Sequence, residues 1–217
     1  LKQESILLPH KGDTEIRGVA IPDFEAARGY AIERLRSELQ PETTYHSLRH
    51  TRDDVAPAAM RLATAHQING IDRVLLHTAA FFHDIGFVIR QIEHEAAGVA
   101  IAEAVLPEFG YTGEQIARIS GMIMATRLPQ SPHNLHEQIL ADADLDLLGT
   151  EHFWARSELL RQEYANFGRL FSDGEWFRNQ LLFLRSHSYW PSAARRDRDA
   201  GKQHNARQLV QIIDQIA

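Results

Sequence analysis

The sequence predicts an all-α protein, and three observations carry that prediction. Apolar residues recur at three- and four-residue spacing along most of the chain, which is the period of an amphipathic helix. No segment alternates apolar and polar residues as a half-buried strand would. Prolines, glycines and capping residues divide the periodic stretches into segments of helical length. With 217 residues and no internal repeat, the chain is long enough to bury one domain-sized core.

The first 21 residues lack a helical period, so residues 1–21 are predicted to form an irregular arm and residues 22–217 a single helical domain. The predicted helices, each a periodic stretch that ends at a breaker or a polar turn, cover about 23–40, 48–67, 72–84, 93–106, 113–126, 135–148, 151–167, 174–187 and 195–216. Pro41 ends the first helix, and Pro57 either kinks or breaks the second.

Local capping signals fix the ends of the later helices. Thr112 and Gln115 have the spacing of a capping box ahead of the fifth helix. Gly149 is placed to end the sixth helix. Asp173 is the predicted N-cap of the eighth.

Composition excludes several classes of protein and points to one kind of site. The net charge of −6 and the lack of a basic run argue against a nucleic-acid partner. No apolar run approaches the roughly 20 residues of a membrane span, and a cysteine count of zero excludes disulfides and thiolate metal sites. We therefore expect a cytoplasmic protein without membrane contact. The 12 histidines prompt a search for metal ligands.

Four short motifs concentrate the histidines and carboxylates: "YHSLRH" (45–50), "FHD" (82–84), "EHE" (93–95) and "ADADLDLLG" (141–149). Ligands of this kind on separate helices can converge on a divalent metal and leave positions open for water and substrate. Adjacent residues on a helix point about 100° apart, so His83 and Asp84 can share a metal most easily at a helix end.

In this order the motifs resemble the HD-domain metal-dependent phosphohydrolase superfamily, whose pattern is H…HD…D. The small single-domain bacterial branch is the more similar part of it, with "YH…RHT", "HD.GF", "HE" and "DADLD.LG" in sequence. The resemblance extends from Tyr45 to the C-terminus. It implies an HD-type helical bundle with extra C-terminal helices, and it places His50, His83, Asp84 and one aspartate of "ADAD" on the metal-ligand positions.

The fourth ligand is ambiguous between two aspartates. Asp142 and Asp146 are four residues apart and share a helix face, whereas Asp144 points elsewhere. The apolar "ILA" before Asp142 resembles the run that precedes the ligand in the family. Asp142 is therefore preferred, with Asp144 as the alternative.

The resemblance also frames the chemistry. Some relatives carry a water-activating acid three to four residues after the His-Asp pair, where this chain has Phe87 and Val88, so Glu95 or His94 is the expected proton-handling residue. Relatives with two metals use further histidines on the fourth and fifth helices, and here the fifth ends in Thr126. One divalent transition metal is therefore expected, and the donors do not distinguish manganese, iron, zinc, nickel and cobalt.

The implied reaction is hydrolysis of a small phosphoester, a nucleotide or a related phosphate compound, by metal-activated water. Candidate substrate-binding residues are His46, Arg49, Arg127 and Arg185; for each arginine the competing interpretation is a surface ion pair. Two other functions stay open: an HD-type di-iron oxygenase and a non-catalytic metal or nucleotide sensor of the same fold. The sequence leaves homo-oligomerisation open as well.

Overall fold

The computed structural model describes residues 21–216, and the predicted irregular arm lies outside this range apart from its last residue. The described part is all-α, as predicted, and contains no strand. Its helices are α1 (Phe24–Glu38), α2 (Ala56–Ala65), α3 (Gly70–Phe82), α4 (His94–Val105), α5 (Gly113–Ala125), α6 (Leu135–Asp144), α7 (Phe153–Asn166), α8 (Asp173–Ser186) and α9 (Ser192–Ile216).

The second predicted helix is divided at Pro57, which lies in the first turn of α2. A π-helical segment, His50–Val55, precedes α2 directly. Because proline lacks the N–H that would continue an α-helical ladder, a wider turn before it satisfies the chain without a break. The sequence left a kink or a break open at Pro57; the structure has a π segment just before it, and His50 is the first residue of that segment.

Helix caps follow the sequence with one correction. Thr112 and Gln115 form the predicted capping box of α5. The N-cap of α8 is Ser172 and not Asp173, because the Ser172 hydroxyl accepts from the N–H of Glu175 while the Glu175 carboxylate accepts from the N–H of Ser172 at 2.9 Å. A reciprocal pair satisfies two free N–H groups, which a single aspartate does not.

The sixth helix ends at Asp144, four residues earlier than predicted, and a 3₁₀ turn follows over Asp146–Gly149. Side chains from the C-terminal part of the chain donate hydrogen bonds to the backbone carbonyls that are left without helical partners there. Tyr189 donates to the carbonyl of Leu145 at 3.2 Å, and Asn205 donates to that of Leu148 at 2.9 Å. The long α9 packs against this turn, so tertiary contacts set the helix end.

Two apolar clusters hold the fold together. The larger is built mainly by α1, α2, α3, α5 and α6, and α3 contributes its Leu75, Leu76 and Phe82. The smaller lies among α7, α8 and α9. No helix within residues 21–216 has the length and apolar character needed to cross a bilayer. The candidate site begins at the end of α3, directly after Phe82 of the larger cluster.

A half-buried histidine, His77, makes the stability of the fold depend on pH. The ring of His77 stacks on Phe24 at 4.6 Å, and burial, with Arg28 and Arg73 nearby, lowers its pKa to about 4. An unfolded histidine titrates near 6.5, so the unfolded chain takes up this proton first on acidification. The contribution to stability is full above about pH 6.5 and is lost as pH falls towards 4.

The free energy of unfolding of the wild-type chain should fall between about pH 7 and about pH 5. We expect His77→Phe, which keeps the aromatic stack, to make that fall smaller by about 1 to 2 kcal/mol. Urea unfolding of both proteins at the two pH values measures this difference. Equal losses in the wild-type chain and the variant would contradict the assignment.

Candidate metal centre

The end of α3 presents a histidine and an aspartate to the same point. His83 follows the last residue of α3, and its Nδ1 donates to the carbonyl of Ala80 at 2.8 Å. This bond fixes the proton on Nδ1 and leaves the Nε2 lone pair facing the carboxylates. Nε2 lies 3.1 Å from Asp84 Oδ2 and 3.5 Å from Asp144 Oδ1. The apolar helix thus carries its polar pair rigidly to one place.

His50 reaches the same carboxylates from the π segment. Its Nε2 lies 3.1 Å from Asp144 Oδ1 and 3.9 Å from Asp84 Oδ2. Behind the ring, Nδ1 lies 3.5 Å from Asp54 Oδ2, and Asp54 is paired in turn with Arg156 of α7. An outer carboxylate of this kind orients a ligand imidazole and raises its basicity.

The structure brings Asp144, not Asp142, to the two histidines, which corrects the preference drawn from the sequence. Asp142 is fully buried on another face of α6, where its Oδ2 accepts from the N–H of Trp190 at 2.8 Å. Burial, which that N–H only partly offsets, raises the pKa of Asp142 to about 7. Its role here is to join α6 to the segment before α9.

The donor set fits a divalent metal. His50, His83 and Asp144 each offer an atom within 4.8 Å of the others'. Among residues 21–216, buried His83 Nε2 and Asp84 Oδ2 have no hydrogen-bond partner. Leaving such atoms buried and unpaired costs free energy, and an ion coordinated by them would remove that cost. Two imidazoles and two carboxylates suit a first-row transition metal.

The cluster holds groups of opposite charge that are buried from solvent. Burial alone would lower the pKa of His50, but Asp144 and Asp54 outweigh it and raise that pKa to about 8. Burial alone would likewise raise the pKa of Asp84, and His83 holds it well below its usual range. The carboxylates are therefore ionised and accumulate negative charge where a cation would lie.

A cavity of about 590 Å³ opens beside the cluster, and Asp84 and Asp144 line it. Its wall includes both residues that the sequence marked for proton handling, His94 and Glu95. His94 Nε2 lies 3.4 Å from Asp84 Oδ1 and 3.5 Å from Glu95 Oε1, and Glu95 is buried. His46 also lines the cavity.

The three candidate arginines differ in position. Arg127 lines the cavity and lies 3.6 Å from Glu93. Arg49 and Arg185 are exposed and are not part of its lining. Of the three candidates for substrate binding, only Arg127 is therefore at the cavity. Arg49 points away from His50 because neighbouring side chains on a helix point in different directions.

Two residues that hold the histidines were not found from the sequence. Asp54 is four residues after His50, so helical spacing could have indicated it. Glu163 is buried on α7 and contacts His46 across 117 residues, and no local pattern marks such a pairing.

Residues 45–146 match the HD domain family model. A bifunctional uridylyltransferase/uridylyl-removing enzyme of Cereibacter sphaeroides is 31% identical over 176 residues, covering 69% of this chain and 18% of that protein. The chain thus spans less than a fifth of this curated relative.

Two solved structures share the fold. One is a predicted HD superfamily hydrolase from an uncultured Thermotogales bacterium, with 19% identity, a TM-score of 0.58 and coverage of 90% of this chain and 91% of that one. The other, from Lactobacillus plantarum, has 18% identity, a TM-score of 0.63 and coverage of 89% and 94%.

The matched segment contains the first three motifs and ends within the fourth, and the chain belongs to the HD-domain family. Family membership and the all-α HD-type fold are thereby confirmed. The family match also supports the enzyme class that the sequence predicted, a metal-dependent phosphohydrolase of unspecified substrate.

Proposed function

We propose that this protein hydrolyses a small phosphoester with the help of one divalent transition metal held by His50, His83, Asp84 and Asp144. The observation that carries the proposal is the buried cluster itself, whose unpaired donor atoms lie at the edge of an open cavity. A bound metal would polarise a phosphoryl oxygen and lower the pKa of water. Glu95 and His94 are near enough to receive the proton that the attacking water loses.

The walls of the cavity favour a substrate with a planar or apolar group beside its phosphate. The lining of the cavity includes five aromatic side chains from α7, α8 and the loop between them: Phe153, Tyr164, Phe171, Trp176 and Phe183. Aromatic faces stack on nucleobases at about 1 to 3 kcal/mol per base. A nucleotide therefore fits this site, and the uridylyl-removing relative acts, by its name, on a nucleotidyl group.

The experiment is elemental analysis of protein purified without chelator, followed by a phosphate-release screen of nucleotides and other phosphoesters with the metal found. We expect one metal per chain and turnover that chelator abolishes and the metal restores. Tight nucleotide binding without turnover under several metals would instead favour a sensor of the same fold.

One observation favours a second candidate, the di-iron oxygenase. His94 Nε2 lies 3.4 Å from Asp84 Oδ1, as a ligand to a second metal beside Asp84 would. Against it, the two residues that follow α5 and line the cavity are Thr126 and Arg127, and neither is a histidine. Two irons per chain in the elemental analysis would decide for the oxygenase.

Glu95 is the first proton-handling residue to test. We expect Glu95→Gln to lower kcat about 100-fold at unchanged metal occupancy, because an amide cannot accept the proton of water. Glu103→Gln, an exposed position on the same helix, is the matched control. Normal turnover in both Glu95→Gln and His94→Ala would place the proton acceptor on another helix.

Arg127 is the candidate contact to the phosphate group. Removing a charge-assisted contact costs about 1.5 to 3 kcal/mol, so Arg127→Ala should lower kcat/KM about 10- to 150-fold. Arg185→Ala is the matched control, because Arg185 is exposed and lies outside the cavity lining. If Arg127→Ala kept the kcat/KM of the wild-type chain, Arg127 would be only a surface ion-pair partner of Glu93.

A further inference from the structure

Three arginine side chains line the cavity, and they differ in whether an acid balances their charge. Arg127 lies 3.6 Å from Glu93, and Arg156 is paired with Asp54. Arg169 lines the same cavity, but among residues 21–216 no carboxylate lies within ion-pair distance of its guanidinium group and no acceptor takes a hydrogen bond from it. Within the described part of the chain, the N–H donors of Arg169 are therefore left to a ligand or to solvent.

The turn at the end of α7 fixes the backbone of Arg169. Gly168 has a φ of 84°, and its N–H donates to the carbonyl of Ala165 at 2.9 Å. The N–H of Arg169 donates to the carbonyl of Tyr164 at 2.8 Å. These two bonds define a Schellman motif, the helix ending that a glycine in the left-handed conformation favours. Arg169 thus begins its side chain from an ordered position on the cavity wall.

Two aromatic rings hold the side chain of Arg169. Its guanidinium carbon lies 5.2 Å from the ring centroid of Tyr164 and 5.0 Å from that of Phe171, within the range of cation–π contacts. Both rings pack against the buried Trp176, and Arg161 donates to the carbonyl of Phe171 at 2.8 Å, so the rings have a fixed place as well. These contacts position the guanidinium group without neutralising its charge.

Much of the remaining charge on the cavity wall is negative. Asp84, Glu93, Glu95 and Asp144 all line the cavity. A bound metal would balance the phosphate group that is hydrolysed, but a second anionic group of the same substrate would be repelled by these carboxylates unless it had a cation of its own. Arg169 can supply that cation, because a planar guanidinium group binds a phosphate through two parallel hydrogen bonds.

We propose that Arg169 binds a second phosphate group of the substrate, so that the phosphoester hydrolysed here is a nucleotide with at least two phosphates. The inference rests on the proposed function and narrows its substrate class. One phosphate would lie at the metal, the base against the aromatic side chains of the cavity, and the other phosphate on Arg169. The second phosphate belongs either to the phosphate chain, as in a nucleoside 5′-diphosphate, or to the ribose, as in a nucleoside 3′,5′-bisphosphate.

Nucleotides with one and with two phosphates test the inference on metal-loaded protein. The 5′-monophosphates, 5′-diphosphates and 3′,5′-bisphosphates of adenosine and uridine provide one purine and one pyrimidine series. Their affinities follow from initial-rate competition with p-nitrophenyl phosphate, or from titration calorimetry if that ester is not hydrolysed. We expect at least one nucleotide with two phosphates to bind the wild-type chain about 10-fold or more tightly than its monophosphate. Arg169→Gln should remove this difference and leave the affinity for the monophosphate unchanged.

Two further variants separate the role of Arg169 from a general loss of charge. Arg169→Lys keeps the charge but loses the planar fork, and should retain part of the gain from the second phosphate. Arg178→Gln removes an exposed arginine of α8 that lies outside the cavity lining, and should bind every nucleotide as the wild-type chain does. Circular dichroism and metal content show that each variant folds and loads.

The inference is overturned if the second phosphate brings no gain in the wild-type chain, or if the gain survives in Arg169→Gln. Arg169 would then be only the end of a helix turn that packs on two rings, and hydrolysis of a monophosphate would still leave the proposed function standing. A gain that depends on Arg169 in a protein that hydrolyses no phosphoester would support this binding site and count against the proposed function. Whether the diphosphate or the bisphosphate gains shows where the second phosphate is attached.

Discussion

Replacing Asp144 by asparagine should strip the metal from the protein, while the same change at Asp142 should leave it bound. Asp144 Oδ1 lies 3.1 Å from His50 Nε2 and 3.5 Å from His83 Nε2, whereas Asp142 accepts a backbone N–H on a different face of α6. An amide is a poor substitute for a ligand carboxylate. Loss of an outer partner alone costs about 10- to 100-fold in metal affinity, so loss of this ligand should exceed about 100-fold.

The two variants control for each other, since they differ by two residues on one helix and both change an acid into its amide. Metal per chain after dialysis, with circular dichroism to show folding, measures the effect. His83→Ala is the positive control and should bind no metal, because it removes one of the two imidazoles of the cluster. If Asp142→Asn lost the metal and Asp144→Asn kept it, the assignment of the fourth ligand would be reversed.

The choice between these aspartates shows how far the sequence reaches. Helical spacing predicts that Asp142 and Asp144 lie on different faces, and the structure places them so, because helical phase is a local property. Which face of α6 contacts the histidines depends on tertiary contacts, and these cannot be predicted from helical periodicity. The π segment with His50 packs against one side of α6, and Trp190 covers the carboxylate on another.

His50, His83 and Asp84 were predicted as ligands for the opposite reason. A histidine beside an aspartate at the end of an apolar helix is a local arrangement, and the order of the motifs places it among recognisable neighbours. Glu163 lies at the other extreme. It is a single acid in a polar helix, and only the packing of α7 against the segment before the π turn makes it a partner of His46.

Replacing Gly86 by alanine should destabilise the fold and disrupt the candidate site. Gly86 lies in the 3₁₀ turn after Asp84, and the first turn of α4 packs directly on it. A Cβ built on Gly86 would lie 1.8 Å from the carbonyl oxygen of His94 and 2.7 Å from the N–H nitrogen of Gly98. Both are backbone atoms, so α4 itself would have to move.

We expect Gly86→Ala to lower the free energy of unfolding by about 3 kcal/mol or more, at the upper end of what overpacking costs, because no side chain can yield. Moving α4 would also displace His94 and Glu95 from the cluster, so turnover should fall even in protein that remains folded.

Gly29→Ala is the matched control. Gly29 is exposed in the middle of α1, and no atom lies within 4 Å of the added methyl group. The free energy of unfolding of Gly29→Ala should therefore rise by up to about 1 kcal/mol. Urea unfolding of the three proteins, with metal content and phosphate release at low denaturant, measures both effects. A Gly86→Ala protein as stable as the wild-type chain would mean that α4 can shift at little cost, and the proton-handling residues would then not be held by this contact.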